Sequence, residues 1–291
     1  MIKSVIFIYK KEGLINLLIA IYGFLFPMKA KAYSLIKEIV SAGKGLEVGG
    51  LSSIFQQKNV IPIYTHIKLL DNCNFASHTV WEGNISEGLK YFYDEAHAPG
   101  RQYVLEATDL NQIESETYDF LLSSHMIEHT ANPIKALKEW MRVVEDGGHL
   151  IVLVPHKDGT FDHKHPVTTL DHLIQDYEND VTEKDLTHMS EILELHDLSR
   201  DLEAGTHQQF SERSEKNYEN RCWHHHVFNS PLVAELMDYL NLQIKAIEAI
   251  APMHILVVVQ KLSDNNSPNN ESFLEHVRSD KYKSPFSSDK L

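Results

Sequence analysis

Cysteine is scarce. Only Cys73 and Cys222 occur in 291 residues, too few and too far apart for a disulfide framework. That excludes a small cross-linked secreted scaffold, fits a reducing compartment, and makes a cytoplasmic location the expectation. A basic balance is also missing. With 27 Lys and Arg against 41 Asp and Glu the formal charge is −14, and a surface of that sign does not displace counterions from phosphates, which argues against a general nucleic-acid binder. Apolar runs of membrane-crossing length are absent too. The stretch Leu14 to Phe26 is interrupted by Asn16 and Gly23 and falls short of the ~20 residues a crossing helix needs. No convincing small-residue cleavage site follows it, and no internal repeat is evident.

What is present is unevenly spread. Residues 1–45 hold seven lysines against Glu12 and Glu38, a balance of +5, so the remainder carries −19. Lys10, Lys11, Lys29 and Lys31 flank the apolar stretch. Residues 1–28 are therefore expected to form a helix, either a lid packed over the functional site or a helix lying in a membrane interface with its lysines toward anionic headgroups. With 43% apolar residues the chain can bury a core of ordinary size, and one α/β domain over 29–262 is expected. After Leu262 the sequence turns to Ser-Asp-Asn-Asn-Ser-Pro-Asn-Asn, a polar run that predicts a flexible tail over 263–291.

Hydrophobic periodicity predicts a helix over residues 29–42, stopped by Gly43, then alternating strands and helices. Strands are predicted at Gly45 to Val48, Ile61 to Leu70, Gln102 to Glu106, Tyr118 to Ser123 and His149 to Pro155. Helices are predicted near Ser86 to Ala96, at Pro133 to Val144, and at Pro231 to Leu240 with Ser230 as its cap and Pro231 in the first turn. Such alternation implies a mostly parallel sheet covered on both faces. The segments Leu242 to Ile250 and His254 to Lys261 are joined too closely for anything but an antiparallel hairpin.

The stretch richest in chemical meaning is Gly45-Leu-Glu-Val-Gly-Gly-Leu-Ser-Ser53. A short apolar strand ends at a turn of small residues, where Gly49 and Gly50 let the backbone approach a ligand and Glu47 can accept hydrogen bonds from it. Behind it come Glu106-Ala-Thr-Asp-Leu110, Tyr118-Asp-Phe-Leu-Leu-Ser-Ser-His125, Glu128-His129 and Arg142-Val-Val-Glu-Asp-Gly-Gly148. The connection 157–229 is a large insertion after the fifth strand. From Asp158 to His226 it holds 16 Asp and Glu, 6 Lys and Arg, and 9 of the 18 histidines.

In Pro155-His-Lys-Asp-Gly-Thr-Phe-Asp-His-Lys-His-Pro166, His163 and His165 alternate, so on an extended segment they would face the same way, toward an acceptor hydroxyl or a metal. Histidine is the side chain most easily poised as a base near neutral pH. The bland alternative is a polar surface loop. In a second cluster, Arg221-Cys-Trp-His-His-His226, Trp223 and Phe228 are read as an apolar or sugar-stacking wall, and at most one or two of the histidines can enter one site. Leu186, Met189, Ile192, Leu193, Leu195 and Leu198 keep helical spacing and read as the buried face of an insertion helix.

The order and spacing of these segments resemble the class I S-adenosylmethionine-dependent methyltransferases, in particular the small-molecule group often called type 11. The resemblance covers roughly residues 30–156 and the C-terminal strands, about half the chain. It implies a doubly wound, Rossmann-like α/β sheet with a C-terminal antiparallel hairpin, and S-adenosylmethionine as cofactor. Glu47, Gly49 and Gly50 would hold its methionine part, Asp71 the ribose hydroxyls, Glu106 with Ala107 the adenine amine, and the backbone around Ser124 and His125 would lie below it. The family's loop usually has glycines where this chain has Leu51 and Ser53.

Some quinone-pathway members that the region resembles carry a Glu-x-x-Glu-His group credited with metal binding. Here its first acidic position is His125, and His129 is read as a packed residue beneath the site or as a base. No resident metal is expected. The expected reaction is methyl transfer to an oxygen of a small-molecule or carbohydrate-like acceptor, with His163, His165 and His129 as candidate bases. The histidine-rich insertion resembles those of polysaccharide-modifying proteins. The alternatives are a nicotinamide-dependent oxidoreductase, for which Gly49-Gly50 is a thin phosphate turn, and a cofactor-binding scaffold without activity.

Overall fold

The computed structural model describes residues 29–263 and 266–290. Residues 1–28, and with them the choice between lid and membrane-interface helix, lie outside the described residues. Among those described, no helix is long and apolar enough to cross a membrane.

Among the described residues, ten strands follow one another as β1 (Lys44–Val48), β2 (Leu69–Asn74), β3 (His78–Thr79), β4 (Gly83–Asn84), β5 (Gly88–Tyr91), β6 (Gly100–Val104), β7 (Tyr118–Ser124), β8 (Val144–Pro155), β9 (Leu242–Ile250) and β10 (His254–Lys261). Eight of them form one sheet in the order β5-β6-β2-β1-β7-β8-β10-β9. Strands β6, β2, β1, β7 and β8 are parallel; β10 runs antiparallel to both β8 and β9, and β5 antiparallel to β6. The chain lays β2 and β6 on one side of β1 and returns to lay β7 and β8 on the other. Strand order therefore reverses beside β1, and the crevice outside the strand ends there is where open α/β sheets bind ligands.

Alternate strand residues feed two cores. Leu46, Leu121, Val152 and Val257 pack under the helices Pro133–Val143 and Ser230–Tyr239. Phe120, Leu122, Ile151 and Val258 pack under the helix Tyr33–Ala42 and the loop residues Phe55, Ile61, Ile63 and Tyr64. Burial on both faces is what makes the central strands nearly continuous apolar runs.

Several local expectations are corrected. The strand predicted from Ile61 forms only at Leu69–Asn74, because Ile61, Ile63 and Ile67 are spent in a turn-rich loop that covers the sheet as a helix would. No helix follows β1; a 3₁₀ turn, Ser53–Phe55, stands in its place. The helix expected near Ser86 to Ala96 is the edge strand β5, where Gly88 takes φ +109° and Tyr91 and Tyr93 turn inward at two-residue spacing while Leu89 and Phe92 face out. The helix cap before Pro231 is Asn229, whose side chain accepts from Leu232 N, and not Ser230.

The largest correction concerns the tail. Residues 266–290 dock on the domain rather than trailing from it. Asn270 accepts from Ile244 N and donates to Leu242 O, capping the start of β9. The helix Glu271–Val277 then buries Val277 completely. Further on, Tyr282 donates to Ser230 Oγ, and Asp289 accepts from Ser230 N and Oγ, each at 2.8 Å. The apolar residues that anchor the segment are spaced thinly beyond the run of Ser and Asn.

Candidate active site

A cavity of about 730 Å³ opens at the carboxyl ends of β1, β2, β6, β7 and β8, the size and place of a small-molecule site. Its floor on the β1 side is the glycine turn. Gly49 has φ +85°, a conformation that favours glycine, and a Cβ there would also press on Met126. A Cβ on Gly50 would stand 2.5 Å from Glu47 and from the Tyr91 hydroxyl. Asn72 clamps the turn by accepting from Gly50 N and donating to Gly50 O, both at 3.1 Å.

Of the residues the sequence pointed to, Gly49, Glu106, Ala107, Ser124, His125 and His129 line this cavity. Glu47, Gly50, Asp71, His163 and His165 do not. Glu47 is fully buried beneath the loop, where it accepts from Ser52 N, Tyr64 Oη and Tyr91 Oη. Burial raises its pKa, and those hydrogen bonds partly offset the rise. It fixes the loop's shape from beneath.

Asp71 sits in the middle of β2, opposite Leu46, with Lys44 Nζ at 3.0 Å and donors from Arg101 N and Tyr118 Oη. The strand continues to Asn74, and it is Asn74, not Asp71, that reaches the cavity. Its side-chain nitrogen donates to Gly50 O and its oxygen accepts from Asn72 and Gln102, so an amide stands where the resemblance calls for an acid.

His163 and His165 miss the site because their segment is not extended. A 3₁₀ turn at Lys157–Gly159 and the turns after it break the alternation. His163 pairs with Asp197 at 2.7 Å on the outside, and His165 is buried near Glu191. From the same segment it is Asp162 that turns inward, and it binds His224 Nδ1. Burial disfavours a charged His224, yet the Asp162 carboxylate outweighs it and the pKa is raised. In this way one histidine of the second cluster, His224, reaches the cavity together with Arg221 and Cys222. A histidine beside two more histidines gives no sequence signal for which one enters.

One wall of the cavity is built on the 3₁₀ turn Ile127–His129, which leaves the end of β7. His129 Nδ1 meets the carbonyl of Trp223 at 2.7 Å, so that nitrogen carries the proton and Nε2 carries the lone pair. Burial, then the nearby His224, push the His129 pKa well below the usual histidine value, and the ring is neutral at pH 7. Its Nε2 lies 3.9 Å from Glu128 Oε1. His125 Nε2 and His254 Nδ1 share a proton across 2.7 Å, and burial first lowers both pKa values, to about 3 and about 4. Over His129 stands Trp81, ring centroids 5.1 Å apart, carried at the tip of the β3–β4 hairpin and half exposed.

Glu128 is the outlier of the wall. It is buried with neither carboxylate oxygen hydrogen-bonded to protein, and burial raises its pKa to about 7, with His224 the leading opposing influence. Glu128, His129 and His224 offer ligand atoms within 4.8 Å of one another, so a divalent cation can be bridged there.

The sign of the pH effect follows. A carboxyl whose folded pKa is raised from 4.5 to about 7 costs stability as pH climbs through that window, about 3 kcal/mol in all. Glu128→Gln is therefore expected to melt above the parent protein at pH 8 and together with it near pH 4.5. Melting curves across that range check it, and a variant less stable at pH 8 would show that the charged form is wanted.

Beyond the end of β6, Glu106 carries the insertion's Arg221 guanidinium at 2.7 Å, and Arg221 also lies 3.6 Å from Glu183 and over the ring of Phe75. Burial raises the Glu106 pKa, with Arg221 the leading influence the other way. The insertion thus closes on Glu106 through an ion pair that sequence spacing could not announce.

The cavity's polar wall suits a nucleoside that carries an amino acid group: a glycine turn without side chains in the way, the Asn74 amide, the Glu106 carboxylate, and the buried Ser52 Oγ that has no protein partner. Residues 67–152 match the family model described as a methyltransferase domain. No curated protein matches.

Solved structures similar in fold include an S-adenosylmethionine-dependent methyltransferase from Methanosarcina mazei, 13% identical over 79% of this chain and 98% of that one, TM-score 0.45. Another is a Thermotoga maritima methyltransferase described as a possible histamine N-methyltransferase, 14% identical over 89% and 99%, TM-score 0.38. A third is the methyltransferase CalH in complex with S-adenosylhomocysteine, 11% identical over 88% and 62%, TM-score 0.44. These likenesses extend no further than the fold.

Proposed function

Because the chain is a class I S-adenosylmethionine-dependent methyltransferase, we propose that it methylates a hydroxyl oxygen of a small, carbohydrate-like acceptor, in polysaccharide modification. The observation that carries this reading is His129: a neutral imidazole with its Nε2 lone pair on the cavity wall, and its Nδ1 proton held by the Trp223 carbonyl. An amine that reacts as a free base needs no such group, whereas a hydroxyl must lose its proton as it attacks.

S-adenosylmethionine supplies an electrophilic methyl group on a sulfonium. Gly49, Ser124 and the backbone beside His125 would hold its methionine part, and Asn74, Glu106 and Ala107 its nucleoside. The protein's own task is alignment and proton removal. His129 Nε2 accepts the acceptor's hydroxyl proton, Trp223 O keeps the ring oriented, and Glu128, 3.9 Å away, stabilises the imidazolium that forms when its own carboxyl is ionised. The Trp81 and Phe161 rings at the cavity offer the flat apolar surface on which a sugar ring stacks.

Transfer of labelled methyl from S-adenosylmethionine to a panel of sugars, polyols, phenols, amines and peptides tests the proposal. Label in the sugars and polyols is expected. Label only in amines or peptides would overturn the oxygen assignment, and a reaction abolished by chelator and restored by a divalent ion would move the proton-removing role from the imidazole to a metal at Glu128, His129 and His224.

A further inference from the structure

Outside the cavity, the insertion gathers a second group of histidines that the reaction does not use. His172 and Asp176 lie one turn apart on the helix Leu170–Glu178, and His188 caps the approach to the helix Met189–Leu195. His172 Nε2 stands 3.3 Å from His188 Nε2 and 3.4 Å from Asp176 Oδ2. All three ligand atoms lie within 4.8 Å of one another. None of the three residues lines the cavity.

We infer that His172, Asp176 and His188 form a binding site for one divalent transition-metal ion, zinc being the best fit. A tetrahedral ion with bonds of about 2.0–2.1 Å to nitrogen and oxygen sets its ligands about 3.3–3.4 Å apart, and the two separations from His172 Nε2 are of that length. The surroundings of these atoms also suit a cation. Glu191 Oε2 lies behind the ring, 4.0 Å from His188 Nδ1, and a carboxylate on that side favours a proton on Nδ1 and a lone pair on Nε2. Asp176 Oδ2 is buried with no hydrogen-bond partner. Without a metal, a proton on His172 Nε2 bridges to His188 Nε2 at 3.3 Å; a divalent ion would take that proton's place and also give the buried Asp176 Oδ2 a partner.

The neighbouring His226 is no ligand. Its Nε2 meets the carbonyl of Ala131 at 3.2 Å and so carries the proton. That leaves the fourth position to water.

The site would clasp the two halves of the insertion. One ligand helix is tied to the sheet side, where Asn132 donates to the Asp176 carbonyl at 3.0 Å. The other buries Ile192 in a small core with Phe210 and Trp223, and Trp223 supplies the carbonyl that orients His129. The metal thus holds the floor on which the reactive imidazole is fixed, at a distance from the chemistry.

The test is independent of the methyl acceptor. The full chain, stripped with chelator and dialysed, is titrated with zinc against a chromophoric competitor, and its melting temperature is followed with and without zinc. One tight equivalent per chain and a melting temperature raised by several degrees are expected, with His172→Ala, His188→Ala and Asp176→Asn each weakening that equivalent at least ~100-fold. His129→Ala and His224→Ala separate this site from the cavity cluster, because the tight equivalent should survive both. Should a variant fold poorly, the visible spectrum of the cobalt-loaded parent decides the geometry, tetrahedral bands being expected. No tight equivalent in the parent, or an equivalent lost with His129→Ala and kept with His172→Ala, would overturn the assignment.

Discussion

His129→Ala is expected to lower turnover about 10²–10⁴-fold, the range over which a positioned general base contributes. The affinity for S-adenosylhomocysteine should stay within a few-fold, because the imidazole's Nε2 is needed only as the acceptor loses its proton. The comparison that gives the number meaning is with His163→Ala and His165→Ala. Both side chains lie off the cavity, one paired with Asp197 and the other buried beside Glu191, so both variants should turn over near the parent rate. Steady-state kinetics on the three proteins, with calorimetric titration of S-adenosylhomocysteine, checks the whole pattern. Near-normal turnover in His129→Ala would remove the proposed base.

Ending the chain after Leu262 is expected to be the most damaging change to stability. Val277, Tyr282 and Phe286 are buried against the domain, and restoring three such side chains to water costs roughly 4–8 kcal/mol. His156 and Ser230 would also lose the Asp289 carboxylate that faces them at 3.1 and 2.8 Å, and His156 would lose the Phe286 ring stacked 4.0 Å away. The melting temperature should fall by at least about 10 °C. Asp289→Ala, which removes one anchor and keeps the apolar contacts, should fall part of the way. A truncated protein that melts within ~2 °C of the parent would show that the segment contributes nothing.

The elements that periodicity located are those whose burial is two-sided or strictly alternating. The hairpin Leu242–Ile250 and His254–Lys261 and the helix begun at Pro133 were legible for that reason. The layer over the glycine turn was not. Ile61, Ile63 and Ile67 carry the composition of a strand but are ordered by loop hydrogen bonds, such as Ile63 N to Phe55 O at 3.0 Å, which no period announces.

The site shows the same division. Gly49, Glu106, Ala107, Ser124, His125 and His129 line the cavity because each stands at or just beyond the end of a strand, where position in sequence and position in the crevice coincide. Asp71 failed by strand length, since β2 runs three residues further to Asn74. His163 and His165 failed because alternation predicts a shared face only along extended chain, and theirs is turned. The partners that finish the site, Asp162 with His224 and Arg221 with Glu106, join segments 62 and 115 residues apart. Contacts of that span are set by how the insertion folds back.

The structure of the protein with S-adenosylhomocysteine bound tests the central claim most directly. Ligand density is expected in the cavity at the carboxyl ends of β1, β2 and β7, with the amino acid part against Gly49 and Ser124, the nucleoside toward Asn74 and Glu106, and the sulfur facing the wall that carries His129. Density outside that cavity, or a sulfur turned away from His129 toward the outer face that holds His163, would contradict it.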